Sequence, residues 1–136
     1  MSNAYRQIGV QTGINGASPH QLVVMLFNGL FDSIGQARAA MANNQIEAKC
    51  AAITKSVRIV DEGLKASLNL AEGGDLALQL HDLYGYITKR LTQANLHNDL
   101  AALEECVSLL TPIREAWIAV APTTDSPART TLEMQA

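Results

Sequence analysis

The sequence has few aromatic residues, few cysteines and no excess of basic charge. Aromatic residues make up 4% of the 136 residues and apolar residues 48%, so aliphatic side chains must fill the core, which favours helices over strands. The net charge is −3 and the ten Lys and Arg are scattered. No cluster of basic residues could contact a phosphate backbone, so we expect no nucleic-acid partner. Cys50 and Cys106 lie in apolar helical segments and are interpreted as buried, reduced thiols.

Long apolar segments are missing as well. No stretch approaches the roughly 20 continuous apolar residues of a membrane-spanning helix, and no basic segment followed by an apolar one marks a signal peptide. The sequence therefore predicts a cytoplasmic protein without a membrane span. Its 136 residues are enough for one domain with a single core.

Apolar residues recur at three- and four-residue steps in four segments, which predicts four long helices. The first begins at a capping box in which Ser18 and Gln21 satisfy each other's backbone N–H groups, with Pro19 at the first helical position. The signals predicted for the other boundaries are Asn44 with Glu47, Gly73-Gly74 followed by Asp75, and Asn98 or Asp99. Long helices on short joints predict an all-α fold, an antiparallel four-helix bundle.

Both ends of the chain are predicted to lie outside this bundle. Residues 1–17 are predicted to form a flexible N-terminal arm, residues 18–121 the helical bundle, and the Thr- and Pro-rich residues 122–136 a disordered tail. Pro112 has no N–H to donate to the carbonyl four residues back. We therefore expect a kink there, or a break with Thr111 capping a short fifth helix after Pro112.

No pattern of catalytic or metal-binding residues is present. His20, His81 and His97 lie far apart without carboxylates or cysteines at ligand spacing, and no nucleophile, phosphate-binding or dinucleotide motif occurs. We expect neither an enzyme nor a bound cofactor or metal. One alternative stays open, because His81 to Gly85 resembles the His-x-Leu-Lys-Gly motif of histidine phosphotransfer domains. Tyr84, however, stands where those domains keep a lysine that neutralises the phosphate.

Four blocks, in the same order, resemble the flagellin export chaperones of the FliS family. Residues 82–95 resemble the family's "LY-x-Y…RL…AN" signature in the third helix, and Ala4-Tyr5 followed by Ser18 to Leu22 resembles its N-terminal region. Residues 25–29 resemble its "ML-[YF]-[DE]-G" block, with Asn28 in place of the usual acidic residue. Residues 114–117 resemble its C-terminal "AW" block, so the likeness covers about residues 4–118.

This resemblance implies a function. Members of the family bind the C-terminal segment of flagellin, which is disordered in the monomer, prevent its premature polymerisation in the cytoplasm and deliver it to the flagellar type III export apparatus. The resemblance implies that amphipathic flagellin helices lie in apolar grooves of the bundle. The partner-binding residues that it implies are Tyr5, Ile8 and Val10 of the arm, and Tyr84, Tyr86, Ile87, Leu91 and Asn95 of the third helix.

The spacing on the third helix suggests which face meets the partner. Tyr84, Ile87 and Leu91 share one face, so we expect them on the groove side, with Leu80 and Leu83 in the core. In the family the arm covers part of the groove when flagellin is absent, which would make its three apolar residues a plug. A generic helical adaptor with the same groove is a further alternative, and homodimerisation is left open.

Overall fold

Four helices follow the predicted segments. The computed structural model describes residues 16–120, so Tyr5, Ile8, Val10 and the predicted tail lie outside the described residues. The helices are α1 (Pro19–Ala42), α2 (Ile46–Arg58, continued by a π-helical segment, Ile59–Lys65), α3 (Leu70–His97) and α4 (Leu100–Ala119). No strand occurs in residues 16–120. The predicted all-α fold is confirmed.

Contacts at the two ends of α1 and α4 show that these helices are antiparallel. His20, at the start of α1, stacks on Trp117, near the end of α4, with ring centroids 5.4 Å apart. At the opposite end of the bundle, Arg38 of α1 pairs with Glu104 of α4 at 3.2 Å. The short joint between α3 and α4 makes these two helices antiparallel neighbours too, as expected for a bundle.

The core is aliphatic, as the composition predicted. Its largest fully buried side chains are Phe27, Leu26, Leu30, Ile34, Ile53, Leu64, Ile87, Leu91, Leu103, Leu110, Val60 and Cys106. Both cysteines are free, but Cys50 is only half-buried, so the predicted burial holds for Cys106 alone. Burial raises the pKa of the Cys106 thiol to about 11, which keeps it protonated near neutral pH.

The predicted caps of α1 and α4 are confirmed. Ser18 Oγ accepts from Gln21 N at 3.1 Å, and Gln21 Oε1 accepts from Ser18 N at 2.9 Å, which completes the capping box. At the start of α4, Asp99 Oδ1 accepts from Ala102 N at 3.2 Å. Asn98 takes the left-handed conformation that ends α3, with φ 52°. These short local signals therefore fix two of the four helix starts.

The predicted start of α2 is wrong by one residue. Gln45, not Asn44, precedes the first turn, and its side chain makes no capping hydrogen bond. Asn44 has a left-handed backbone with φ 55°, which Asn tolerates better than most residues. Asn44 therefore turns the chain between α1 and α2 instead of capping the helix.

The joint between α2 and α3 also lies earlier than predicted. Asn69 Oδ1 accepts from Glu72 N at 3.1 Å and caps α3, so Asp75 is not the N-cap. The predicted stop at Gly73-Gly74 falls inside α3, where Gly74 has non-helical angles of φ 62° and ψ −146°. Because glycine adopts such angles without a steric penalty, the chain kinks there after one turn and then continues as helix.

The predicted fifth helix does not form. α4 continues through Pro112 to Ala119, and Thr111 Oγ1 donates to Val107 O at 2.6 Å instead of capping a new helix. Proline removes one helical hydrogen bond, to the carbonyl of Ser108. Ser108 and Pro112 are both exposed, so the carbonyl that loses its donor lies at the solvent side of the helix.

An apolar groove at one end of the bundle as the candidate functional site

An apolar groove of about 490 Å³ lies at one end of the bundle, and we call it the end groove. It is formed by the start of α1, the π-helical segment and the joint after it, the start of α3 and the end of α4. Apolar residues that line it include Val23, Phe27, Leu64, Leu76, Leu80 and Trp117. Among the described residues that line it, Glu62 is the only charged one. Such a surface is suited to an apolar helix face rather than to a charged ligand.

The floor of the end groove continues the buried stripe of α3. Tyr84, Ile87 and Leu91 are at most 3% exposed and face the core. Towards the start of the helix, Leu80 is half-buried and Leu76 is 65% exposed, although helical spacing places both near the same face. The stripe is therefore covered along most of α3 and uncovered at the end groove.

The π-helical segment forms one wall of the end groove and was not predicted. Regular heptad spacing runs through residues 46–68 and gives no sign of the wider turn. Gly63 packs so tightly on α1 that an added Cβ would lie 2.9 Å from Leu26 Cδ2. Glycine in the middle of a helical pattern was the available signal, since it often marks a close approach of two backbones. Single π turns are frequent at functional sites.

Two pairs of residues join α1 to α4 through hydrogen bonds, beginning at Trp117 in the lining of the end groove. His20 Nε2 lies 2.8 Å from Trp117 O, and Trp117 Nε1 donates to His20 O at 3.2 Å. One turn further along, Arg114 donates from Nε and Nη2 to Asn28 Oδ1 at 3.2 and 2.7 Å. Arg114 also lies over the ring of Phe31, 5.2 Å from its centroid. The amide of Asn28 thus keeps a contact to Arg114 without a negative charge.

The structure separates the residues predicted to bind a partner. Tyr84 lines the end groove, and burial raises its pKa to about 12. Ile87 and Leu91 are fully buried in the core behind it. The prediction that Leu80 and Leu83 would carry the core in their place is wrong, because these two are only half-buried at the edge of the stripe.

Tyr86 and Asn95 lie outside the end groove. The hydroxyl of Tyr86 donates to Glu105 Oε2 at 2.6 Å, and this hydrogen bond is the main cause of the raised pKa of Tyr86. Asn95 Oδ1 accepts from Cys50 Sγ at 3.3 Å, while its main-chain carbonyl accepts from Lys49 Nζ at 3.0 Å. Both residues join neighbouring helices, and their contact with a partner stays a prediction.

The described residues hold neither a metal-binding cluster nor a membrane-spanning helix. Within residues 16–120 no group of three or more His, Cys, Asp or Glu could hold a metal ion. In the same part of the chain, no helix is long and apolar enough to cross a membrane. His81 Nδ1 lies 3.7 Å from the acidic Asp82 Oδ1. An anionic phosphohistidine would be poorly stabilised beside it.

Comparison with known proteins decides between the interpretations. The profile of a family described as flagellar protein FliS matches residues 1–124. The chain belongs to the FliS family. A flagellar secretion chaperone FliS from Salmonella typhimurium is 44% identical over 119 residues, which cover 88% of each chain. Those from Escherichia coli K12 and Bacillus subtilis 168 are 39% and 35% identical, over 85% and 79% of this chain and 85% and 78% of their own. This FliS-family assignment gives no support to the phosphotransfer interpretation.

Proposed function

We propose that this chain binds the disordered C-terminal segment of flagellin in the end groove. Binding holds the segment as an amphipathic helix, prevents premature polymerisation in the cytoplasm and keeps flagellin ready for the flagellar export apparatus. The observation that carries the proposal is the uncovered part of the α3 stripe, where Leu76 is 65% exposed. The relatives' name, flagellar secretion chaperone, supports an exported flagellar protein as the partner.

The chemistry of the end groove suits a helix that folds as it binds. Ordering a disordered segment costs several kcal/mol, so the bound helix must bury a large apolar area to compensate. Each leucine buried on docking contributes about 1.5–3 kcal/mol. Leu76, Leu80 and Trp117 line the groove, and Glu62 is the one charged residue among the described residues there. The groove therefore offers several such contacts without a strong electrostatic demand.

The predicted residues take different parts in this proposal. Tyr84 contacts the bound helix, whereas Ile87 and Leu91, which are fully buried, support the groove from behind. The arm residues, among them Tyr5 and Ile8, compete with flagellin for the groove and also contact it once bound. Deleting residues 1–12 should therefore lower the affinity modestly, and unchanged or higher affinity would limit the arm to a plug.

The test is calorimetric titration with a peptide of the flagellin C-terminal segment. Leu76→Glu places a carboxylate in the groove, so the loss of leucine burial and the cost of burying a charge should weaken binding about 100-fold or more. Leu96→Glu is the matched control, because Leu96 is on the same helix, is 75% exposed and is not part of the groove lining. It should leave the affinity unchanged.

Two outcomes would contradict the proposal. Equal affinities of the Leu76→Glu and Leu96→Glu variants would mean that the end groove is not the binding surface. Equal capture of flagellin with and without its C-terminal segment would favour a generic helical adaptor. Both residues are exposed in the free chain, so neither substitution should unfold it, and thermal melting verifies this before each titration.

A further inference from the structure

The hydroxyl of Tyr84 has no hydrogen-bond partner among the described residues. The side chain is 3% exposed and belongs to the lining of the end groove. Within residues 16–120 the Tyr84 hydroxyl neither donates nor accepts a hydrogen bond. Two residues further along α3, Tyr86 in contrast donates its hydroxyl to Glu105 at 2.6 Å. Tyr84 is therefore the one of these two tyrosines with a free donor.

An unpaired buried hydroxyl weakens the free chain. Most buried polar groups in native proteins have a partner, because burial without one costs the full loss of hydration. The groove lining is mostly apolar and includes Phe27, Ala77 and Leu80, whose side chains offer no acceptor. Its polar members Glu62, Ser67 and Asn69 make no hydrogen bond with Tyr84. A phenylalanine would fill the same space without this cost, so packing alone does not account for a phenol here.

We propose that the Tyr84 hydroxyl donates a hydrogen bond to the segment bound in the end groove. The bound helix is then not uniformly apolar, and it brings one neutral acceptor, a side-chain amide oxygen or a free main-chain carbonyl, to the groove floor. A carboxylate is disfavoured there, since Glu62 already lines the groove and a buried charge without a cation is costly.

This hydrogen bond would give the groove selectivity. A uniformly apolar helix would leave the phenol buried and unpaired, and a site built to hydrogen-bond its ligand discriminates against ligands that lack the matching group. The inference rests on the proposed function, because it assigns a role to one residue of the groove that is proposed to bind flagellin.

The experiment compares two variants that each lose a single hydroxyl, Tyr84→Phe and Thr92→Val. Titration with the flagellin C-terminal peptide should show a roughly three- to ten-fold larger Kd for Tyr84→Phe, the value of one hydrogen bond. Thr92→Val should bind like the unaltered chain, because Thr92 is exposed on the same helix, lies outside the groove lining and donates its hydroxyl to Thr88 O. Without peptide, Tyr84→Phe should melt at the same temperature as the unaltered chain or higher.

Three results would overturn the inference. Equal or tighter binding by Tyr84→Phe would show that the ligand does not use the hydroxyl. A lower melting temperature of free Tyr84→Phe would show that the hydroxyl is already paired in the free chain. No binding by the unaltered chain would remove both this inference and the proposed function. If Leu76→Glu loses binding while Tyr84→Phe binds like the unaltered chain, only the inference fails and the proposed function stands.

Discussion

Replacing Gly63 with alanine should destabilise the bundle, although alanine is the better helix former. An ideal Cβ at position 63 would lie 2.9 and 3.2 Å from the two methyl carbons of Leu26 and 3.5 Å from its Cγ. Leu26 is 2% exposed and packed in the core, so its whole isobutyl group would have to shift against other buried side chains. Gly85 on α3 is the control, because an added Cβ there meets nothing within 4 Å.

The magnitude follows from two opposing effects. Forcing one carbon into a packed core costs about 1–3 kcal/mol, while replacing glycine by alanine in a helix returns up to about 1 kcal/mol. Gly63→Ala should therefore lower the free energy of unfolding by about 1 kcal/mol, and Gly85→Ala should raise it by up to about 1 kcal/mol. For a domain of this size, 1 kcal/mol corresponds to roughly 4 °C in Tm.

Urea unfolding of both variants measures the difference. A second measurement repeats Gly63→Ala in a Leu26→Ala background, where the methyl groups that clash are absent. There the substitution should become neutral or stabilising. If Gly63→Ala stabilises the unaltered chain as much as Gly85→Ala does, the close approach of the π-helical segment to α1 is not a constraint, and the reasoning fails.

Three further predictions concern charge and pH. Asn28→Asp should turn the contact with Arg114 into an exposed ion pair and stabilise the fold by about 0.5 kcal/mol, less at high salt. Hydrogen bonds from Tyr86 and then Arg90 lower the pKa of Glu105. The stability that ionised Glu105 gives to the fold is therefore present above pH 4.5 and is lost as the pH falls through the lowered pKa. Glu105→Gln should make this loss of stability in acid smaller. Burial raises the pKa of Tyr84 from 10 to about 12. The part of the free energy of unfolding that is linked to this neutral phenol is therefore fully present below pH 10 and is lost as the pH rises towards 12. Tyr84→Phe should remove that loss, about 1 kcal/mol at pH 11.

Unfolding in urea across salt concentration and pH checks all three. A gain from Asn28→Asp that ignores salt would mean that the contact with Arg114 is not electrostatic. An unchanged acid slope in Glu105→Gln would place the pH dependence on other carboxylates. An alkaline loss in Tyr84→Phe equal to that of the unaltered chain would contradict the burial of the phenol.

The features that the sequence predicted correctly depend on neighbours within a few residues. The capping box at Ser18 and the cap at Asp99 involve groups three residues apart, so their spacing is sufficient to identify them. The aliphatic four-helix fold follows from periodicity in the same way. Asn69 was missed because Gly73-Gly74 gave a stronger stop signal nearby, although Asn69 with Glu72 has the spacing of a cap.

The features that were missed depend on packing between helices. Helical spacing groups Tyr84 with Ile87 and Leu91 but does not say whether their face meets the core or a partner, and we assigned it to the partner side. The π-helical segment interrupts a regular heptad pattern, and within residues 59–65 only Gly63 hints at the close approach to α1, without indicating the wider turn. Continuation of α4 through Pro112 likewise depends on the exposure of the carbonyl that loses its donor, which only the fold determines.

Helix lengths explain why the bundle has an uncovered end. Beyond the kink at Gly74, α3 runs on to His97 over about 35 Å, and the 20 residues of α4 span about 30 Å, at 1.5 Å per residue. The joint at Asn98 holds the end of α3 level with the start of α4, so α4 ends opposite roughly residue 78 of α3. The contact of Lys49 with Asn95 places the end of the π-helical segment at about the same level. The first turns of α3, with Leu76, therefore extend beyond both neighbours, and a helix laid there would complete the layer that they leave open.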